Sequence, residues 1–241
     1  MNALHNFLFN VYPYLCLAVF LMGSLARFDR DQYTWKSDSS QLLRAGQLRW
    51  GSNLFHGGIL FLFFGHLFGQ LTPHGLYEIF VTAPQKQLVA VVAGGVAGLI
   101  CFIGLTLLLH RRLFDPRIRL TSHRTDIAIL LILWVQLVIG LSTLPASLHH
   151  VSDPQTMLRL ASYLQGIATF QPNAALVAGI EWHFQVHMLL GMTIFLLFPF
   201  SRLVHVWSGF GTVAYLFRPY QVVRSRRLNV PVGQNEARRV S

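Results

Sequence analysis

The chain has 241 residues, of which 53% are hydrophobic, 13% aromatic and only 12% charged, with a formal net charge of +10. A soluble domain carries about 25% charged residues, and a disordered chain combines low hydrophobicity with high net charge. Both are excluded, which leaves a polytopic membrane protein. The two cysteines, Cys16 and Cys101, sit in apolar runs, so the chain holds no disulfide scaffold, no cysteine-ligated iron–sulfur cluster and no Cys-x-x-Cys-His haem attachment.

A hydrocarbon core roughly 30 Å thick needs about 20 helical residues. Uncharged windows of that length precede Arg27 and lie between Arg49 and Glu78, Lys86 and Arg111, Asp126 and Asp153, and Glu181 and Arg202. They predict five spanning helices near residues 5–26, 52–72, 87–110, 127–145 and 183–207, with Pro145 ending the fourth. Helices are expected because lipid offers the backbone no partner, and the period-2 alternation of a barrel is absent. The first window has no basic flank and no small-residue cleavage site, so it reads as a retained helix. Within it, Tyr12 and Tyr14 flank Pro13 and read as packing residues or lipid contacts.

Between the last two spans, Asp153-Pro154 suits a helix start, and Met157, Leu160, Ala161, Leu164 and Ile167 recur at helical spacing. This predicts a short amphipathic helix over 154–169, either lying on the outer surface or packed as a loop helix.

The basic residues fix the orientation. Lys86 and Arg159 are the two exceptions among 19 Lys and Arg; the rest cluster after the first span, after the third, and from Arg202 to the end. The positive-inside rule then places the N-terminus outside and the C-terminus in the cytoplasm. The same asymmetry excludes nucleic acid as a partner, because the charge is topogenic and its surplus faces acidic lipid or a cytoplasmic partner.

Of 11 histidines, His5, His74, His110, His123, His149 and His150 lie near span ends or in loops. His56 and His66 lie inside the second span, and His187 and His205 belong to the fifth. Ionisable groups within membranes are rare and point to function. The two spans run in opposite directions, so depth pairs His66 with His187 toward the outside and His56 with His205 toward the cytoplasm. Two stacked bis-histidine haems need such pairs. Gly57, Gly58, Gly65, Gly69 and Gly191 lie near these histidines; they admit a flat porphyrin or simply close helix packing. The spacing is unequal. At about 1.5 Å per residue, His56 to His66 covers roughly 15 Å and His187 to His205 roughly 27 Å of straight helix, a gap that tilt and a kink at Pro199 would reduce. His183, one turn before His187 and near Glu181, is a competing ligand or half of a metal pair.

The chain resembles the gamma subunit of membrane-bound respiratory nitrate reductase, a di-haem cytochrome b. The resemblance rests on Tyr33-Thr34-Trp35, Ser52-Asn53-Leu54-Phe55-His56, Gly65-His66, Leu71-Thr72-Pro73-His74, Arg111-Arg112-Leu113-Phe114, Leu197 through Leu203, His205, Trp207 and Tyr220 through Arg224. It covers residues 12 to about 224. It implies an all-α membrane protein, five transmembrane helices bundled around two haem b groups, in the bacterial inner membrane. Residues 1–208 would form the membrane domain, and 209–241 a basic cytoplasmic tail contacting the soluble subunits.

The family's role would be to oxidise quinol, menaquinol or ubiquinol, near the outer face, with protons released outward. Electrons would pass through the outer and then the inner haem to an iron–sulfur beta subunit. That subunit feeds a molybdenum-containing alpha subunit reducing nitrate, in anaerobic respiration and in nitrate assimilation. Motif match assigns His66 and His187 to the outer haem and His56 and His205 to the inner one. It makes Lys86, beside Gly65 and His66, the quinol-site lysine; taken alone, Lys86 is equally a snorkelling interfacial lysine. Arg112 and Arg202 are candidates for the inner haem's propionates, or snorkel to lipid head groups. Trp35, Trp50, Trp182 and Trp207 read as interfacial anchors.

Three other readings stand beside this one. A similar quinol-oxidising cytochrome b could serve another reductase. A non-haem proton or metal transporter would require acidic partners inside the spans. An inert anchor would leave the intramembrane histidines without a reason.

Overall fold

The computed structural model describes residues 2–31 and 43–208. Tyr33-Thr34-Trp35, Tyr220 through Arg224 and the basic tail 209–241 lie outside the described residues. The chain divides after His205 into two units, and of the second only residues 206–208 are described.

Every regular element among the described residues is helical. Apart from short 3-10 turns and the helical residues 205–208, they are α1 (Ala3–Arg30), α2 (Ala45–Leu71), α3 (His74–Tyr77), α4 (Ala83–Phe114), α5 (Pro116–Thr121), α6 (Arg124–His149), α7 (Gln155–Ala168) and α8 (Trp182–Leu197). The helices α1, α2, α4 and α6 and the stretch Trp182–Phe200 are long and apolar enough to cross a membrane. α4 starts at a capping box, where Gln85 Oε1 accepts from the Thr82 N–H at 3.0 Å and Pro84 follows in the first turn. Many large apolar side chains of these helices remain exposed, among them Leu21, Phe61, Phe68, Val92 and Ile103, as lipid-facing helices require.

The packed pairs run in the order α2, α4, α6, α8, α1, each helix lying against the next. α2 and α4 approach closely because small residues face each other. A Cβ on Gly58 would come within 2.6 Å of the Cys101 side chain, and one on Gly51 would lie 3.2 Å from the Gly104 carbonyl. Of the glycines near the histidines, Gly58 therefore serves helix packing, whereas a Cβ on Gly57, Gly65 or Gly69 would meet open space.

Two expected boundaries differ. α6 runs through Pro145 to His149; the proline removes one amide donor, but the helix resumes with the His150 amide donating to Ala146. The last span is not one helix to 207. α8 stops at Leu197, turns of 3-10 helix follow at Phe198–Phe200 and Arg202–Val204, and Ser201 between them is extended at φ −119°, ψ 175°. Arg27 of α1 clamps this break, donating from Nη1 to the carbonyls of Pro199 at 2.7 Å and Ser201 at 2.8 Å. Eighteen residues of straight helix thus never separate His187 from His205, which removes the spacing conflict.

The predicted amphipathic helix is α7, and it is packed rather than free on a surface. Leu160, Ala161, Tyr163 and Ile167 are buried, Gln165 Nε2 donates to the carbonyls of Gln70 and Thr72, and Tyr14 donates its hydroxyl to Ile167. Tyr12 reaches Thr193 Oγ1 at 2.8 Å, so both tyrosines tie α1 to its neighbours. Tyr163 is fully buried and donates to the Phe9 carbonyl at 2.7 Å, within the π-helical turn Phe7–Val11. Tyr163→Phe strips that carbonyl of its side-chain donor and should destabilise the detergent-solubilised protein by about 1–3 kcal/mol, read as a lowered thermal midpoint.

Candidate functional site

The four intramembrane histidines meet in two pairs. The rings of His66 on α2 and His187 on α8 have centroids 6.2 Å apart. Those of His56 on α2 and His205, which directly follows the 3-10 turn Arg202–Val204, are also 6.2 Å apart.

Each ring is oriented by a backbone carbonyl. His56 Nδ1 donates to Ser52 O at 2.7 Å, His66 Nδ1 to Leu62 O at 2.7 Å, His187 Nδ1 to Gln136 O at 3.2 Å and His205 Nδ1 to Arg202 O at 2.6 Å. A carbonyl only accepts, so Nδ1 carries a proton in all four, and in a neutral ring this leaves the Nε2 lone pair to bind a metal. The two α2 histidines use the carbonyl one turn before them. His187 instead borrows one from the facing helix, and Gln136 Nε2 returns a bond to the His187 carbonyl at 3.0 Å while lying 3.5 Å from His187 Nε2. A Cβ on Gly140 would lie 2.7 Å from His187 Cε1, so glycine there makes room for the ring.

The pairs open onto separate cavities. The first, about 240 Å³, is lined by His66 and His187 with Gln70, Gln87, Gly140 and residues of α7 such as Leu160 and Leu164. It carries no Lys, Arg, Asp or Glu, and its buried amide oxygens Gln70 Oε1 and Gln87 Oε1 have no partner among the described residues. The second, about 260 Å³, is lined by His56 and His205 together with Arg111, Arg112 and Arg202. Arg112 and Arg202 do not reach outward to head groups alone: both contact Asp126 Oδ2, at 3.2 and 3.4 Å.

The spacing of the pairs tests whether they fit a haem. An imidazole nitrogen binds a first-row metal at about 2.0 Å, and the centre of a ring with bonds of about 1.33 Å lies about 1.1 Å behind each atom, so two imidazoles on one iron stand about 6.2 Å apart. Both pairs meet that distance. His183 does not join them; its ring packs against Trp182 and Phe184, and its Nε2 is buried with no hydrogen-bond partner among the described residues. Among the described residues no cluster of three or more His, Cys, Asp or Glu is placed to hold a metal ion.

Lys86 lies in the first turns of α4 with its ammonium 3.5 Å from the centre of the Tyr77 ring. Burial, reinforced by Glu78, pushes the Tyr77 hydroxyl up, so the ring stays neutral. Lys86 and Gly65 do not line the first cavity; His66 does, and so does Gln87, whose Nε2 donates to Ser147 O at 2.7 Å. Sequence reading passed over Gln87, Gln136, Gly140 and Asp126. Gln136 carried the only usable signal, a polar residue in the middle of an apolar helix.

Comparison with known families matches residues 5–226 to the nitrate reductase gamma subunit. The chain belongs to that family. It is 48% identical to the respiratory nitrate reductase 1 gamma chain of Escherichia coli (strain K12) over 227 residues, covering 94% of this chain and 100% of that one. Identity to the respiratory nitrate reductase 2 gamma chain of the same organism is 49% over 93% of this chain and 98% of that one. With the nitrate reductase gamma chain of Bacillus subtilis (strain 168) it is 36%, over 91% and 97%. This gamma subunit is a multi-pass protein of the bacterial cytoplasmic membrane. The expected part in nitrate assimilation is not supported, since the Escherichia coli relatives are respiratory enzymes by name.

Proposed function

We propose that the chain is the quinol-oxidising, di-haem cytochrome b subunit of a respiratory nitrate reductase. It would work with an iron–sulfur beta subunit and a molybdenum-containing alpha subunit, its N-terminus outside and its basic tail cytoplasmic. The observation that carries the reading is the pair of imidazoles with centroids 6.2 Å apart, found twice, every Nδ1 tied to a carbonyl. Haem bound at each pair supplies one-electron transfer across the membrane.

The chain's own residues do the rest. His66 and His187 hold the outer site; His56 and His205 hold the inner one. Gly57, Gly65 and Gly69 leave open space along α2 where a flat ring can approach. α7 lines the outer cavity with the apolar side chains of Leu160 and Leu164. Arg112 and Arg202 line the inner cavity and offer cations to propionates. Near the outer end, Lys86, Gly65 and His66 would receive quinol, menaquinol or ubiquinol. An ammonium there holds a quinol oxygen and stabilises negative charge as its proton leaves outward. A transporter is disfavoured because the Asp126 carboxylate is bound to two arginines and not to the histidines.

A dithionite-reduced minus oxidised spectrum of membranes holding the complex, with pyridine haemochrome quantitation, tests this. Two b haems per chain support the reading, and none rejects it. Gly140→Ala pushes a methyl into the His187 ring and breaks its bond to Gln136. Loss of such an orienting partner costs metal sites roughly 10–100-fold in affinity, so this variant should lose the outer haem selectively in the same assay.

A further inference from the structure

The inner cavity differs from the outer one in charge, and one carboxylate governs that charge. Asp126 is 7% exposed and Arg112 9%. Arg112 comes from the end of α4, Asp126 from the first turn of α6 and Arg202 from the turn that carries His205. Asp126 Oδ2 accepts from Arg112 Nη1 at 3.2 Å and from Arg202 Nη1 at 3.4 Å. Arg112 Nη1 also donates to Ser122 Oγ at 3.0 Å, and that hydroxyl donates onward to Ile118 O at 2.7 Å. Two like charges are thus drawn to one oxygen beside His56 and His205. Arg202 is also the residue whose carbonyl fixes the His205 ring, at 2.6 Å.

We propose that Asp126 is a positioning residue that sets the reduction potential of the inner site, by gathering Arg112 and Arg202 and cancelling one of their two charges. This rests on the reading that His56 and His205 hold a haem. Reduction there is one electron taken up by iron, with no proton and no bond change, so the site's charge falls by one. Cations in a low-dielectric cavity favour the reduced form, and an anion among them opposes it. The Arg112–Asp126–Arg202 group carries one net positive charge. Without the carboxylate it carries two, and both arginines still line the cavity of His56 and His205.

The test is a potentiometric titration of the b-haem absorbance in the membrane-bound complex. Asp126→Asn keeps the size and an accepting oxygen but removes the charge. It should raise the midpoint of the wave that His205→Ala abolishes and leave the other wave in place. Asp126→Glu should return the midpoint toward wild type, and Arg112→Gln should lower it. A merely structural ion pair, on losing one buried partner, would lower thermal stability but leave the midpoint in place. Two retained haems with an unmoved inner midpoint in Asp126→Asn overturn the proposal. If that variant fails to retain the inner haem, an unmoved midpoint in Arg112→Gln overturns it. A wild-type complex without haem overturns the haem reading itself, an outcome distinct from two haems that ignore Asp126.

Discussion

His205→Ala is expected to halve the haem content of the purified complex, leaving one b haem per chain with an unaltered spectrum, and His56→Ala should reproduce the result. His66→Ala and His187→Ala should remove the other haem. The grouping follows from geometry: centroids 6.2 Å apart link His56 only to His205 and His66 only to His187. A direct ligand removed exceeds the roughly 10–100-fold cost of losing a partner behind it, and alanine leaves nothing to reach the iron. His183→Ala is the control. Its ring packs against Trp182 and Phe184 and makes neither of the two histidine ring contacts, so the variant should keep both haems. Nitrate reduction fed by quinol should fail in all four ligand variants, because one site alone does not bridge the membrane. Full haem content in any of the four would break the assignment at that residue.

Which parts of this site are legible in the sequence follows from how each is encoded. Span number follows from charge gaps, because charge in lipid is costly over the whole width of a helix. Pairing of the histidines follows from counting depth along two antiparallel spans. The break after Leu197 was not legible as a turn. Pro199 signals a kink, but the redirection depends on Arg27, 172 residues away, donating to the Pro199 carbonyl. Gly23 adds room there, since a Cβ on it would meet Pro199 Cγ at 2.8 Å. Likewise Asp126 read as a boundary charge, and only the approach of α4 to the last turn shows it between two arginines. Gly140 looked like any glycine in a membrane helix until the ring of His187 was found against it. Elements set by local sequence and by depth along a span were readable; side-chain contacts made where one helix meets another were not.

Lys86→Ala should abolish quinol oxidation while both haems remain spectrally intact. A cation in the first turns of a helix opposes the helix dipole, so helix stability does not explain a lysine at that position. Its amine lies 3.5 Å over the Tyr77 ring, an attraction of about 0.5–2 kcal/mol that fixes where the charge points. Its neighbour Gln87 lines the cavity of His66, so the lysine flanks the outer site without occupying the histidine cavity. A donor aimed at a developing oxyanion is worth about 10²–10³ in rate, and a loss of at least that size is expected in kcat/KM with quinol. Tyr77→Leu removes the aromatic face but not the charge. At 0.5–2 kcal/mol it should cost at most about thirtyfold. The order of the two variants separates function from packing. If Lys86 only braced the loop against Tyr77, the two substitutions would weaken turnover equally and lower thermal stability together. If Lys86 holds quinol, its loss is far the larger, and electrons supplied directly by dithionite still reduce both haems at the wild-type rate.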